Sequence, residues 1–201
     1  LNYGSAGIGS NAHLAMELLQ AAAGIKLTHV PYKGMPPALS DVAGGQIDAV
    51  LIADSGRAGV ALVPALRRIG MRNAKILGTD LWNIDGSLAG SSAMYGGWFA
   101  SVSDTLYAQY ATKYRARFGK TPLRLSSLGY DSVLLVARVA RDWRPGTKFP
   151  IAQLTDPQGF IGVDGAFRFT ANGLTERMLE VQEIQSGKFV TISPAPTQFV
   201  K

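Results

Sequence analysis

The unbroken apolar run at residues 50–53 (VLIA) constrains the fold more than any other stretch of the chain. A short apolar segment between polar ends is typical of a parallel strand that helices cover on both faces. The segment is followed by Asp54 and Ser55, just beyond the carboxyl end of the strand, where α/β sheets usually bind ligands. We therefore expect residues 46–54 to hold the central strand of an α/β sheet and to form one side of a cleft.

Composition narrows the class of protein. The chain has 201 residues, of which 47% are hydrophobic, so it can bury the core of one domain or of two small lobes. Its formal charge of +6 comes from scattered basic residues, and the pair Arg67–Arg68 falls in a predicted helix, which favours a solvated helix face over a nucleic-acid surface. The absence of cysteine excludes disulfides, thiolate metal sites and a cysteine nucleophile.

The sequence was also searched for membrane spans and for a leader peptide. No apolar run reaches the ~18 residues of a membrane span, so we expect no membrane insertion. The chain starts at Leu1, within a strand-like segment and without a basic and apolar leader, which favours a mature or excised piece.

The first fifty residues begin with a strand, a glycine-rich turn and a helix. Residues 1–3 lead into the turn at residues 4–10 (GSAGIGS), and an amphipathic pattern then runs to Gly24. Ser10 is the expected N-cap of this helix. The unpaired N–H groups of the first helical turn and the helix dipole predict an anion-binding site at the turn, for a carboxylate or a phosphate.

Three interpretations of this turn remain open. Gly7, Gly9 and Ala12 fit the relaxed spacing of a dinucleotide-binding turn, but the acidic residue expected about 20 positions later is absent. A site for a small carboxylate and a purely structural turn are the other two. His13, near the helix start, is expected to be a packed or capping residue rather than a catalytic base.

A second strand, at residues 27–30, leads to Tyr32 and Lys33 at the same sheet edge as the glycine-rich turn. A proline pair at residues 36–37 then opens a helix that a glycine pair at residues 44–45 closes. We expect the phenol and the ammonium group to face the anion site, although Lys33 is also compatible with a solvated side chain.

These motifs carry a resemblance. The runs NYGSAGIGSNAHLAMEL and HVPYKGMPPALSDVAGGQID resemble one lobe of the solute-binding receptors of tripartite tricarboxylate transporters, over roughly residues 1–50. The resemblance implies a type II periplasmic binding protein lobe that holds small carboxylates. It also implies ligand contacts from Ser5, Gly7, Gly9, Ser10, Tyr32 and Lys33.

The pattern after residue 54 continues the α/β order. We predict a helix over residues 60–69 that contains Pro64, strands at residues 76–79 and 96–100, and a loop at residues 80–83. Strand ends next to each other suggest a second group of candidate ligand residues: Asp54, Ser55, Asp80 and Trp82.

Two further helices are expected between residues 104 and 141. Tyr107, Tyr110, Tyr114 and Phe118 recur at helical spacing, as do Val133, Val136 and Ala140, and both stripes are interpreted as core. The segments 166–169, 178–185 and 189–192 alternate as strands around turns at residues 172–173 and 186–187, which predicts antiparallel strands at the end of the chain.

The later sequence carries a second resemblance. FG at residues 118–119, LGYD at residues 128–131 and the ending that starts GFIGVDGAFRF resemble leucine/isoleucine/valine-type (type I) substrate-binding proteins, especially their penicillin-binding-protein-activator relatives. This resemblance covers about residues 51–201. It implies that helices 104–141 normally belong to an opposite lobe, whose sheet we do not find in the sequence.

Together these patterns predict a Rossmann-like three-layer αβα lobe of a periplasmic binding protein, with a mainly parallel sheet and antiparallel C-terminal strands. We expect a single lobe over residues 1–201, with a splice near 46–54 that joins a βαβα unit (1–49) to the remainder (50–201). The junction is interpreted as a chimera.

The sequence favours a non-enzymatic recombined or designed half-receptor with weak or no anion binding. The alternative is a functional periplasmic module for a carboxylate or an amino acid, which completes its cleft as a homodimer. No cofactor, metal or catalytic residue is predicted. The only serine–histidine combinations considered are Ser10 with His13 and Ser55 with His13 or His29, and neither serine lies in a G-x-S-x-G motif.

Overall fold

The computed structural model describes residues 2–23, 26–46 and 48–199, and it has the predicted α/β architecture. The strands are β1 (Asn2–Ser5), β2 (Thr28–Pro31), β3 (Ala49–Ile52), β4 (Lys75–Gly78), β5 (Trp98–Ser101), β6 (Phe160–Gly162), β7 (Gly165–Phe169), β8 (Thr175–Arg177), β9 (Glu180–Gln185) and β10 (Lys188–Ser193). The α-helices are α1 (Asn11–Ala23), α2 (Met35–Ala43), α3 (Gly56–Arg68), α4 (Asp104–Phe118) and α5 (Ser126–Val139). Short 3-10 helices span Asp80–Ile84, Gly86–Gly90, Ser92–Met94 and Ile151–Thr155.

The chain divides into two compact units. The first comprises residues 1–99 and 183–190, and the second comprises residues 100–182 and 191–201. The chain crosses from one unit to the other three times, each time within a strand: β5, β9 or β10. The predicted splice at residues 46–54 lies inside the first unit, where it stays a prediction.

Parallel strands dominate the first unit. β1 pairs with β2 in parallel, in a register that sets Tyr3 opposite His29 and Ser5 opposite Pro31. β3 pairs in parallel with β4, and β4 with β5, within a five-stranded sheet of order β10-β9-β5-β4-β3. The second unit adds the antiparallel sheet β6-β7-β8. This combination of parallel and antiparallel strands confirms the predicted fold class.

The prediction that β3 is the central strand is wrong. β3 is the edge strand of its sheet as described, and Leu51 is 38% exposed, whereas Ile52 is buried. A run of four apolar residues shows that a strand is partly buried, but it does not show that both faces are covered. The apolar run alone therefore does not predict that helices cover both faces of this strand.

The core of the first unit surrounds Trp82, whose side chain is fully buried. Trp82 packs with Val63 of α3, Ile76 of β4 and Phe99 of β5, and the indole lies directly over Gly78, where a Cβ would overlap it. Residues 80–84 form a 3-10 helix rather than the predicted loop. Burial of the indole explains this local order, because it fixes the segment against the sheet.

The second unit has a different core from the one predicted. Leu135 and Val139 of α5 pack against Phe160 of β6 and Phe167 of β7. The predicted stripe on α5 faces outward instead: Val133 and Val136 are exposed, as are several large apolar residues nearby. Both sides of α5 are apolar in sequence, so helical spacing could not decide which side is covered.

The aromatic stripe of α4 is also not core within the described chain, since no residue of α4 is buried. Tyr110 and Tyr114 instead line a cavity of about 580 Å³ between α4, α5 and β6. Neighbouring rings of the stripe contact one another at centroid distances of 4.6–5.9 Å. We call this surface the α4–α5 groove. Its remaining lining residues are Leu106, Gln109, Lys113, Arg117, Phe118, Tyr130, Leu134, Ile161, Gly162 and Val163.

A partly buried ion-pair cluster holds the start of α5 in place. Arg124 lies 3.1 Å from Asp164 and 3.3 Å from Asp104, and its guanidinium stacks on Tyr107. Ser127 donates a hydrogen bond to Asp164. The Asp164 carboxylate is thus neutralised where burial would make an unpaired charge costly.

Candidate functional site

The glycine-rich turn at residues 4–10 joins β1 to α1, and two of its amides are bonded within the turn. The Gly7 N–H donates to Ser5 Oγ at 3.2 Å, and the Ser10 N–H donates to the Gly7 carbonyl at 3.2 Å. Gly7 and Gly9 have φ angles of 143° and 78°, a region that favours glycine. The glycines are therefore required by the backbone path itself.

Ser10 caps α1 as predicted. Its Oγ accepts a hydrogen bond from the His13 N–H at 3.3 Å, and its carbonyl accepts from the Leu14 N–H at 3.0 Å. This is the N-cap geometry that satisfies a free donor of the first helical turn. The helix N-terminus thus points its dipole at the turn, where it favours negative charge.

The second predicted turn is bonded to the first. The Tyr32 N–H donates to the Ser5 carbonyl at 3.0 Å, and the Gly34 N–H donates to the Ala6 carbonyl at 3.1 Å. Lys33 between them is exposed. The backbone therefore brings Lys33 to the same edge of the sheet as the glycine-rich turn.

The side chain of Tyr32 does not follow the expectation that it faces the turn. Its hydroxyl donates to Asp41 of α2 at 2.7 Å, and the ring packs on the cluster of Val42, Leu66 and Met71. The bond to Asp41 and, second, burial raise the pKa of Tyr32. Tyr32 contributes its backbone N–H to the turn, while its phenol holds α2.

The second predicted group lies at the ends of β3 and β4, in a different sheet from the glycine-rich turn. Ser55 caps α3, since its Oγ accepts from the Ala58 N–H at 3.3 Å, and the Asp54 carboxylate accepts from the Ser55 N–H at 2.5 Å. The Trp82 indole N–H donates to the Asp54 carbonyl at 2.9 Å. Asp54, Ser55 and Asp80 are exposed, whereas Trp82 is a core residue with no surface to offer a ligand.

Sequence reasoning missed a cluster of titratable residues beneath the glycine-rich turn. Ser5 is 2% exposed, and its Oγ lies 2.7 Å from His29 Nε2. The His29 ring stacks between Tyr3 and His13, at centroid distances of 4.8 and 4.1 Å. Glu17 completes the cluster, because it accepts a hydrogen bond from the Tyr3 hydroxyl at 2.7 Å.

The cluster shifts the pKa values of its members. Burial, followed by the Glu17 bond and its charge, raises the pKa of Tyr3 to about 12. The pKa of Glu17 is lowered, chiefly because its carboxylate accepts the Tyr3 hydrogen bond. The pKa of His29 is lowered by burial and then by the charge of His13. The register Tyr3 opposite His29, which sets these rings side by side, was the one signal that could have revealed the cluster.

This serine–histidine pair differs from the combinations considered in the sequence. The Ser5 hydroxyl donates its one proton to the Gly7 carbonyl at 2.9 Å, accepts the Gly7 N–H and also contacts His29 Nε2. A buried hydroxyl with this many partners fixes the turn and has no room for a substrate carbonyl.

Among the described residues, no group of three His, Cys, Asp or Glu side chains is arranged to hold a metal ion, and every helix of that part of the chain is too short or too polar to cross a membrane.

Comparison with known proteins identifies a relative for the first part of the chain. Residues 1–73 match the tripartite tricarboxylate transporter family receptor. A UPF0065 protein of Pseudomonas sp. strain P51 is 38% identical over 71 residues, which is 35% of this chain and 21% of that protein. A UPF0065 protein of Agrobacterium vitis is 52% identical over 48 residues, which is 24% of this chain and 14% of that protein. The match spans about a fifth or less of these relatives, and it extends past the predicted border at residue 50.

Solved structures show the fold of the chain as a whole. The leucine-binding protein LivK of Thermotoga maritima matches 98% of this chain and 60% of its own length, with a TM-score of 0.64 and 17% identity. LivJ of Streptococcus pneumoniae, in complex with isoleucine, matches 97% of this chain over 59% of its own length, with a TM-score of 0.58 and 22% identity. A solute-binding protein of R. palustris, in complex with benzoate, matches 92% of this chain over 56% of its own length, with a TM-score of 0.57 and 16% identity.

Both predicted resemblances are thereby confirmed. The first part of the chain is similar to tricarboxylate transporter receptors, and the fold is that of leucine-type binding proteins and of LpoA from Haemophilus influenzae, which matches 87% of this chain with a TM-score of 0.57. The chain spans about 60% or less of the length of these structures.

Proposed function

We propose that the chain is a non-enzymatic solute-binding module and that the glycine-rich turn receives the carboxylate of a small ligand. The observation that carries this proposal is the backbone bonding between the two turns, which sets Lys33 next to the start of the glycine-rich turn that leads to the capped N-terminus of α1. A helix N-terminus and a nearby ammonium group both favour an anion. The likeness of residues 1–73 to a receptor family supports a carboxylate over a phosphate or a dinucleotide.

The relatives support the same ligand class. Isoleucine and benzoate, the ligands of two of the matching structures, both carry a carboxylate. The proposed ligand contacts come from Gly9, Ser10 and Lys33, while Ser5, Gly7 and the backbone of Tyr32 shape the turn through their own hydrogen bonds. Asp54, Ser55 and Asp80 form a second polar edge that suits an amino group better than an anion. A periplasmic location follows from this proposal, since the resembled receptors work there.

The binding proposal replaces the inert half-receptor as the leading function. Both rest on the same resemblances, but the half-receptor needs an engineered or recombined origin that no observation supports. Sequence likeness to the receptor family that runs to residue 73 favours a turn that still binds a ligand.

Isothermal titration with citrate, succinate, benzoate and isoleucine tests the proposal. We expect a carboxylate to bind and Lys33→Gln to weaken its binding about three- to tenfold, the size expected from the loss of one exposed charge contact and its hydrogen bond. Lys26→Gln, at another exposed lysine, is the matched control and leaves the affinity unchanged. Equal affinities in both variants, or no heat with any of the four ligands, would contradict the proposed site.

A second candidate is a homodimeric module that completes its binding cleft from two chains. The observation that favours it is the α4–α5 groove, where large apolar side chains such as Leu134 (47% exposed) and Ile161 (78% exposed) stand open. Exposed apolar patches of this kind mark interaction surfaces in soluble proteins. Ligand binding that appears only at concentrations where the chain is dimeric would distinguish this candidate from the monomeric module.

A further inference from the structure

His13 contacts the glycine-rich turn through two of its own atoms. Its backbone N–H donates to Ser10 Oγ, and its ring nitrogen Nδ1 accepts the N–H of Gly9 at 3.1 Å. Gly9 has a φ of 78° and would have open space around a Cβ, so local packing does not fix its position. The hydrogen bond to His13 therefore holds the tip of the turn.

This hydrogen bond requires a neutral imidazole. A ring nitrogen accepts a hydrogen bond only when it carries no proton, and both nitrogens are donors in the imidazolium form. With Nδ1 as acceptor, the single ring proton lies on Nε2, which is 3.7 Å from Glu17 Oε1. Protonation at Nδ1 would set one N–H against another and release the Gly9 N–H.

Ionisable side chains from β1, β2 and α1 lie around the His13 ring. His29 of β2 stacks on it at 4.1 Å, Tyr3 of β1 lies beyond His29, and Glu17 stands one turn along α1. Two adjacent imidazolium rings repel each other, and burial already disfavours a charge on His29. Glu17 stays ionised as the pH falls, because the Tyr3 hydroxyl stabilises its carboxylate, and it compensates a charge on His13.

We propose that His13 is a protonation-dependent clasp on the glycine-rich turn, which closes the turn when neutral and frees the Gly9 N–H for an anion when charged. Histidine is the side chain whose charge normally changes between pH 5 and 8. The imidazolium would also add a positive charge beside the turn. Only the part that concerns anions rests on the proposed function; the change in the turn itself does not.

Nuclear magnetic resonance of the full chain tests the clasp without any ligand. The backbone amide of Gly9 and the ring nitrogens of His13 are followed from pH 8 to pH 5. We expect the Gly9 amide to titrate with the same midpoint as the His13 ring, and to be independent of pH in His13→Gln, whose side-chain oxygen still accepts a hydrogen bond. A Gly9 amide that ignores the His13 titration in the wild-type chain, or that still titrates in His13→Gln, would overturn the clasp.

Sulfate is the probe for the anion step, because its charge stays constant over this range of pH. We expect the affinity of the wild-type chain for sulfate to rise about threefold or more between pH 7.5 and 5.5, and the affinity of His13→Gln to stay level. The same rise in both proteins would overturn the role of His13 in binding. If Gly9 titrates with His13 but no anion binds at either pH, the proposed function fails and the clasp stands.

Discussion

At the residue scale, Gly78 is a position where the fold leaves no room for a side chain. A Cβ on this residue would overlap the ring of Trp82, which is fully buried and cannot move without disturbing Ile76 and Phe99. We expect Gly78→Ala to lower the free energy of unfolding by about 3 kcal/mol, since extra atoms in a packed core force neighbours out of place. Gly86→Ala is the control, because a Cβ there meets nothing within 4 Å; its effect should stay within about 0.5 kcal/mol in urea unfolding. Equal stability of the two variants would show that the Trp82 packing is not tight.

The pH dependence of stability is also decided by single residues. The pKa of His29 is lowered in the folded chain from its ordinary value of 6.5, so the unfolded chain binds more protons there. Its contribution to stability is complete above pH 6.5 and is lost as the pH falls through the lower folded pKa. The Glu17 contribution is lost later, below its ordinary pKa of 4.5. We expect the free energy of unfolding to fall between pH 7.5 and 5.5, and to fall less in His29→Asn; an identical slope in the two proteins would contradict this origin.

At the element scale, α3 ends through a contact that the sequence did not reveal. Arg67 and Arg68 were both expected on a solvated face, but one Arg67 nitrogen donates to the carbonyls of Met71, Arg72 and Ala74 at 2.9, 2.5 and 3.1 Å. This guanidinium therefore organises the whole connection from α3 to β4. We expect Arg67→Ala to lower the free energy of unfolding by roughly 1.5–3 kcal/mol, the range for hydrogen bonds to a charged group. Arg68→Ala, at the exposed neighbour, should cost no more than about 0.5 kcal/mol, and a larger loss there than at Arg67 would contradict the assignment.

Elements were predictable from sequence wherever the signal was local. The helix that contains Pro64, the strand at residues 75–78, the cap at Ser10 and the turns of the last strands all follow from spacing and turn residues. The edge position of β3 and the covered face of α5 did not follow, because spacing identifies an apolar side and not the element that covers it. The same limit applies to the candidate site. The turns and Lys33 were found, whereas the Ser5–His29 contact depends on how β1 registers against β2.

At the scale of the whole molecule, the α4–α5 groove remains open in a single chain. Its lining is largely aromatic and aliphatic, with Lys113 and Arg117 as its charged members. A second copy of the chain would bury the same groove from both sides, since the faces of a two-fold dimer are identical. Lys113 and Arg117 would then have to lie away from the symmetry axis, because like charges repel.

We accordingly expect a concentration-dependent dimer in sedimentation equilibrium. Leu134→Glu places a carboxylate in the apolar wall of the groove and should shift the chain to the monomer, because burying an unpaired charge is costly. Leu62→Glu is the matched control: Leu62 on α3 is similarly exposed, at 45%, and lies outside the lining of the groove. A wild-type chain that stays monomeric at the highest attainable concentration would contradict the dimer. A dimer that Leu134→Glu leaves intact would place the interface elsewhere, and in that case the open groove is not the surface that joins two chains.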